Sequence, residues 1–100
     1  MKATMYVILS TNNTQSCNEV VNRLKEFYSP LSISPTREYY GMENALEFYV
    51  TFDINKDDLK IFLNHLSDSF DEDEDQWECY GMTSKIFHKD IDYIRINIYA

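Results

Sequence analysis

The stretch SFDEDEDQWECYGM, Ser69 to Met82, sets five consecutive carboxylates, Asp71, Glu72, Asp73, Glu74 and Asp75, just ahead of the only tryptophan of the chain, Trp77. Side chains of this kind can hold a divalent cation, shuttle protons, or meet a basic surface. Calcium is the first candidate, because Asp71, Asp73 and Asp75 have the spacing of the first three ligands of an EF-hand loop. Such a loop needs Gly at its sixth position and a bidentate Glu at its twelfth, and these are Gln76 and Met82 here. No metal site is expected.

The remaining chemistry-bearing residues are dispersed. Cys17, Cys79, His65 and His88 include no CxxC or HxxxH pair, whereas structural zinc sites draw ligands from such pairs. Cys17 falls on the apolar side of a helical pattern, as expected of a small buried thiol. The only glycines, Gly41 and Gly81, stand forty residues apart, which excludes a glycine-rich phosphate loop. Clustered hydrated carboxylates also lack the apolar pocket that raises a general acid's pKa. The sequence therefore predicts neither an enzyme nor a cofactor.

Recognition is left. Asp68 and Glu78 extend the run, so that seven acids lie between residues 68 and 78 with no base among them. A turn between a helix and a strand needs only one or two polar residues, and five like charges in a row repel one another. Carboxylates steer and pair with Arg and Lys, and aromatic side chains supply contact area, which is the composition of a protein-binding hot spot. The expected partner-binding residues are Asp71 to Asp75, Trp77 and Glu78, together with Tyr39 and Tyr40. By alternation Trp77 and Cys79 share one strand face and Glu78 and Tyr80 the other.

The elements that must position these residues follow from periodicity. Ala3 to Ser10 is apolar on both faces and reads as a central strand. Ser16 and Glu19 have capping-box spacing, predicting a helix from there whose apolar face is Val20, Val21, Leu24, Phe27 and Tyr28. Pro30 and Pro35 bound a linker that is neither helix nor central strand. Thr36 to Tyr40 and Ala45 to Ile54 flank Gly41-Met42-Glu43-Asn44 as a hairpin. Asn55 and Asp58 start a second helix with Leu59, Phe62, Leu63, Leu66 and Phe70 on one face. The acidic run itself reads as a solvated turn; Trp77 to Met82 and Asp90 to Tyr99 read as strands.

Tyr40-Gly41-Met42 recurs as Tyr80-Gly81-Met82, each copy lying between a capped helix and an apolar final strand. The expected fold is a single α+β domain over residues 1 to 100. It has an antiparallel four- to five-stranded sheet, two helices on one face, and a ferredoxin-like β-αββ-αββ order. The uncovered face would carry Tyr49, Thr51, Tyr93, Arg95, Asn97 and Tyr99.

The chain has 100 residues, 44% of them hydrophobic, with a formal net charge of −8, and its acids are unevenly spread. Residues 1 to 50 hold five acids and four bases, and residues 51 to 100 hold twelve and five. Such a field repels nucleic acid and anionic membranes and attracts cationic surfaces, so no direct nucleic acid and no membrane partner is expected. No stretch reaches the roughly 18 apolar residues of a membrane span, and MKATMYVILSTNN lacks signal-peptide form, so the expected location is cytoplasmic with two reduced thiols. The chain is expected to be a monomer, or a homodimer formed through Tyr93 to Tyr99 as an edge strand.

In length, acidity and aromatic content the chain resembles bacterial immunity proteins of the contact-dependent inhibition and colicin type. Glu38-Tyr39-Tyr40 is similar to the acidic, paired-tyrosine surface of colicin DNase immunity proteins, which are helical bundles, so that it is their binding logic that carries over. The resemblance implies a partner that is a basic protein toxin, often a nuclease, blocked by acids lying where a phosphate backbone would lie. Two other classes fit the composition: a phage-encoded nucleic-acid mimic (anti-restriction or anti-CRISPR), and an ACT-like small-molecule regulatory module.

Overall fold

The computed structural model describes residues 1–99. Lys2–Leu9 form β1, and their alternation decides how the layers are built. Ala3, Met5, Val7 and Leu9 are buried in the core, while Thr4 and Tyr6 on the opposite face are only half-buried. Helix α1, Thr14–Phe27, follows and lays Cys17, Val20 and Leu24 on the β1 core face. It begins earlier than the Ser16 and Glu19 pattern predicts: the Asn13 side chain accepts from Gln15 N at 2.8 Å and caps the helix. Any Asx residue ahead of a helical pattern competes for the free first-turn amides, and here TNNT supplies one three residues before Ser16. The chain then forms β2 (Ser32–Ile33), β3 (Arg37–Glu38) and β4 (Leu46–Asp53).

Helix α2, Lys56–Leu66, starts as expected. Asn55 accepts from Asp58 N at 2.8 Å, and Asp57 and Asp58 place negative charge at the positive end of the helix dipole. Leu59, Phe62 and Leu66 seal the second half of the same core. The last strands are β5 (Asp71–Asp73), β6 (Gln76–Tyr80) and β7 (Ile91–Tyr99).

All strands join one antiparallel sheet in the order β2-β4-β1-β7-β6-β5, with β3 also pairing β4. The four- to five-stranded, ferredoxin-like β-αββ-αββ expectation is thus corrected to seven strands in the order β-αβββ-αβββ. The five expected strands are present, and each half gains one more: Ser32–Ile33 from the proline-bounded linker and Asp71–Asp73 from the acidic run. Both additions lie on the outside of the sheet, where unfavourable strand formers are tolerated because part of the backbone stays in water. After each helix the chain enters at an outer edge and steps inward, so β1 ends between the last strand of each half.

Both helices contribute to a single core with Met5, Val7, Phe48, Val50, Ile94 and Ile96, all on one side of the sheet. The predicted outward set Tyr49, Thr51, Tyr93, Arg95, Asn97 and Tyr99 shares the other side; Thr51 and Tyr99 are exposed and the rest half-buried among one another. Dimerisation through β7 as an edge is corrected, since β7 is paired on both sides, by β1 and by β6.

Candidate interaction surface

Asp71–Asp73 are drawn into a strand because β6 offers a ladder: Asp71 pairs Glu78, Glu72 pairs Trp77 and Asp73 pairs Gln76. Glu74 and Asp75 make the tight connection, and Asp75 takes φ 57°, a left-handed conformation that Asp tolerates better than most residues. Its carbonyl accepts from Ile98 N at 2.9 Å, tying the turn to β7. The expectation of a mere solvated turn is corrected to an edge hairpin. Half-buried Phe70 anchors its start against the core.

Strand geometry divides the run. Asp71 and Asp73 share the open side of the sheet with Glu78, whereas Glu72 lies on the helix side with Trp77. All five carboxylates from Asp71 to Asp75 are exposed. Among the described residues none of them enters an ion pair or a side-chain hydrogen bond. Trp77 is half-buried and lines, with Leu59, Leu63, Lys56, Lys60 and Glu72, a groove of about 450 Å³ between α2 and the hairpin. Tyr39 and Tyr40 lie beyond the other flank of β1, in the loop after β3; Tyr39 is half-buried and Tyr40 is 92% exposed. Four strand steps of about 4.8 Å separate β4 from β5, but the loop after β3 reaches back over the open face, so that Tyr39 lines one pocket with Tyr80 and Tyr93, the tyrosines bonded to Glu78.

The open face carries a network that sequence reasoning found only in part. On the β4 side, Tyr6 Oη donates to Glu47 Oε1 at 3.1 Å and Arg37 Nε donates to Glu47 Oε2 at 2.8 Å. Tyr6 stacks on Tyr49 at 4.7 Å. On the β7 side, the hydroxyls of Tyr93 and Tyr80 both donate to Glu78 Oε2, and Gln76 Nε2 donates to Glu78 Oε1 at 3.0 Å. Burial, with the Glu47 hydrogen bond, pushes the Tyr6 hydroxyl up to about 12. Burial and then the Glu78 bond raise Tyr93 as well, and the Glu78 charge raises Tyr80. These phenols are therefore neutral donors at ordinary pH and not bases. The signal for Tyr6 and for Glu47 was alternation, which sets Tyr6 on the opposite side of β1 from Met5 and Val7 and puts Glu47 on the side of Tyr49; Arg37 carried none beyond its charge.

The cysteines and histidines make their contacts within the fold. Cys79 is buried, and burial pushes its thiol up to about 11, opposite to what a nucleophilic thiolate needs. Cys17 is buried with Sγ 3.1 Å from Thr36 Oγ1, and both cysteines are free. His65 stacks on Phe27 at 4.9 Å. His88 Nδ1 accepts from Asp90 N at 3.1 Å, and its Nε2 lies 3.8 Å from Glu19. Among the described residues no group of three or more His, Cys, Asp or Glu is arranged to hold a metal, and no helix is long and apolar enough to cross a membrane.

What the surface offers is a run of exposed carboxylates in no close ion pair at one edge, with Lys56 and Lys60 across the groove from Glu72 and Asp75, and ordered aromatic rings beside it. Comparison with protein-family models, with curated proteins and with solved structures finds no match for this chain.

Proposed function

We propose that this chain is an immunity-type inhibitor that binds a basic, nuclease-class bacterial toxin in the cytoplasm and occludes its substrate cleft. The observation that carries the reading is the edge hairpin Asp71 to Asp75, whose five exposed carboxylates have no ion-pair partner among the described residues. An internal role would pair such charges; unpaired at an edge, they raise the encounter rate with a cationic cleft by about 10 to 1,000-fold at low salt. Trp77, Glu78 and the Tyr39-Tyr40 loop supply contact area on either side. Half-buried Trp77 and exposed Tyr40 are the anchors a partner would desolvate.

The test is direct. The chain is mixed with the purified basic protein encoded beside its own gene, and complex formation and nuclease activity are measured across salt concentrations. A one-to-one complex that suppresses activity and associates faster at low salt supports the reading. Replacing Asp71 to Asp75 with their amides is expected to slow association at least about tenfold with a smaller change in dissociation. Absence of a complex at low salt, or complex formation indifferent to those substitutions, overturns it.

A further inference from the structure

Gly41 and Met42 of the first Tyr-Gly-Met segment meet Tyr80 of the second in space. Tyr39, Gly41 and Met42 from the first loop, Tyr80 with Tyr93 from the β6–β7 side, and Tyr6 with Ile8 from β1 line an open pocket of about 350 Å³ whose one carboxylate is Asp92. Each glycine permits this approach without left-handed backbone. A Cβ on Gly41 would run into the Tyr39 ring, and one on Gly81 would sit 2.6 Å from Ile91 O. Gly81 N donates to Asp92 O at 2.8 Å, fastening the second loop to β7.

Asp92 is there because of an irregularity in the ladder. Ile8 pairs Tyr93 and Leu9 pairs Ile91, so Asp92 is the extra residue of a β-bulge. A bulge re-aims side chains, and here Asp92 and Tyr93 both line the pocket although they are consecutive. The Asp92 side chain is half-buried and, among the described residues, has no hydrogen bond or ion pair. The Tyr80 and Tyr93 hydroxyls are engaged by Glu78, which holds their rings in place.

On the same face, tyrosine rings already take guanidinium groups, one of them Tyr6 at the β1 side of this pocket. Arg37 Cζ lies 5.6 Å from the Tyr49 ring and Arg95 Cζ 5.2 Å from the Tyr6 ring. Among the described residues no cation lies over Tyr39, Tyr80 or Tyr93. We infer that the pocket of Tyr39, Tyr80, Tyr93 and Asp92 is a receptor for one arginine side chain of the basic protein partner. A flat, weakly hydrated guanidinium stacks on the rings while its N–H groups meet the carboxylate. This inference rests on the proposed basic partner and names the contact by which the open face would hold it.

The test needs no partner. N-acetyl-arginine amide is titrated into the full chain and followed by amide and tyrosine-ring NMR, with N-acetyl-leucine amide as the uncharged control. Saturable shifts at Tyr39, Gly41, Tyr80, Asp92 and Tyr93 with arginine only are the expected result. Asp92→Asn, which keeps the shape, should weaken binding about fivefold or more, and Tyr80→Leu should weaken it comparably. Amide substitution of Asp71 to Asp75 should leave pocket binding in place. Shifts confined to residues 71 to 75, equal response to the leucine amide, or an unchanged affinity in Asp92→Asn would each overturn the inference. A toxin complex that forms normally with Asp92→Asn would reject the pocket while leaving the acidic hairpin's role standing.

Discussion

On the β4 side of the central strand, Glu47 is 8% exposed and answered from two directions, by Arg37 and by the Tyr6 hydroxyl. On the β7 side, Glu78 takes hydrogen bonds from tyrosine and glutamine donors, with Arg95 opposite it in the ladder but not in an ion pair, and the strand beyond it is all acid. The two sides have the same plan: each follows a helix, steps inward from an outer edge, and meets β1 in matching register, Val7 opposite Phe48 on one side and Ile94 on the other. They share one core and one repeated tripeptide. Their difference is therefore in charge and not in scaffold: one half holds its buried carboxylate in an ion pair, and the other carries five exposed carboxylates that enter none among the described residues.

The largest effects fall in the core that the two halves share. Phe48→Ala and Ile94→Ala remove fully buried partners of Val7 and should each cost about 2–5 kcal/mol in chemical denaturation. A cost near zero on one side only would mean that the halves do not share a single packed interior. Next come the paired glycines. Gly81→Ala drives a Cβ toward the Ile91 carbonyl, a backbone obstacle, and should destabilise by about 1–3 kcal/mol; Gly41→Ala meets a side chain that can swing away and should cost less. Thermal unfolding of the two variants settles the order.

Smaller effects read the polar networks. The folded state holds Tyr6 neutral up to about 12, whereas an unfolded tyrosine ionises near 10. The unfolded chain thus loses its proton first, so the Tyr6 contribution is whole below about pH 10 and falls away as pH rises toward about 12. Tyr93 is raised by the same causes on the other side. Urea midpoints measured from pH 9 to 12 should fall, and Tyr6→Phe and Tyr93→Phe should each flatten part of that fall. The smallest stability change belongs to the acidic hairpin: amide substitution of Asp71 to Asp75 should shift stability by less than about 1 kcal/mol, in the stabilising direction, because only self-repulsion among exposed charges is relieved. A large loss would show that those carboxylates are structural and would weaken the contrast between the halves.

Much of this architecture was legible because it rests on local rules. The α2 start at Asn55, the inward faces of β4 and β7, and the partition of Trp77 and Cys79 from Glu78 and Tyr80 follow from capping and from a period of two. The strands at Ser32–Ile33 and Asp71–Asp73 were not legible, since neither segment has strand-forming composition and each is extended only because a neighbour presents a ladder. The Asp92 bulge left one trace, the three-residue step from Ile91 to Ile94, which a strict alternation would not allow.

By itself the amino-acid order determined the α+β class of the fold, its amphipathic faces, and the concentration of negative charge after α2, because each is a property of neighbours along the chain. Only the tertiary structure decided that the acidic run is an edge strand split over two sides of the sheet. It alone also brought Tyr39 and Tyr80, far apart in the chain, around a carboxylate turned by a bulge. Cross-strand register fixes which residues share a surface, and register is set by pairing across the whole sheet, to which no short stretch of sequence has access.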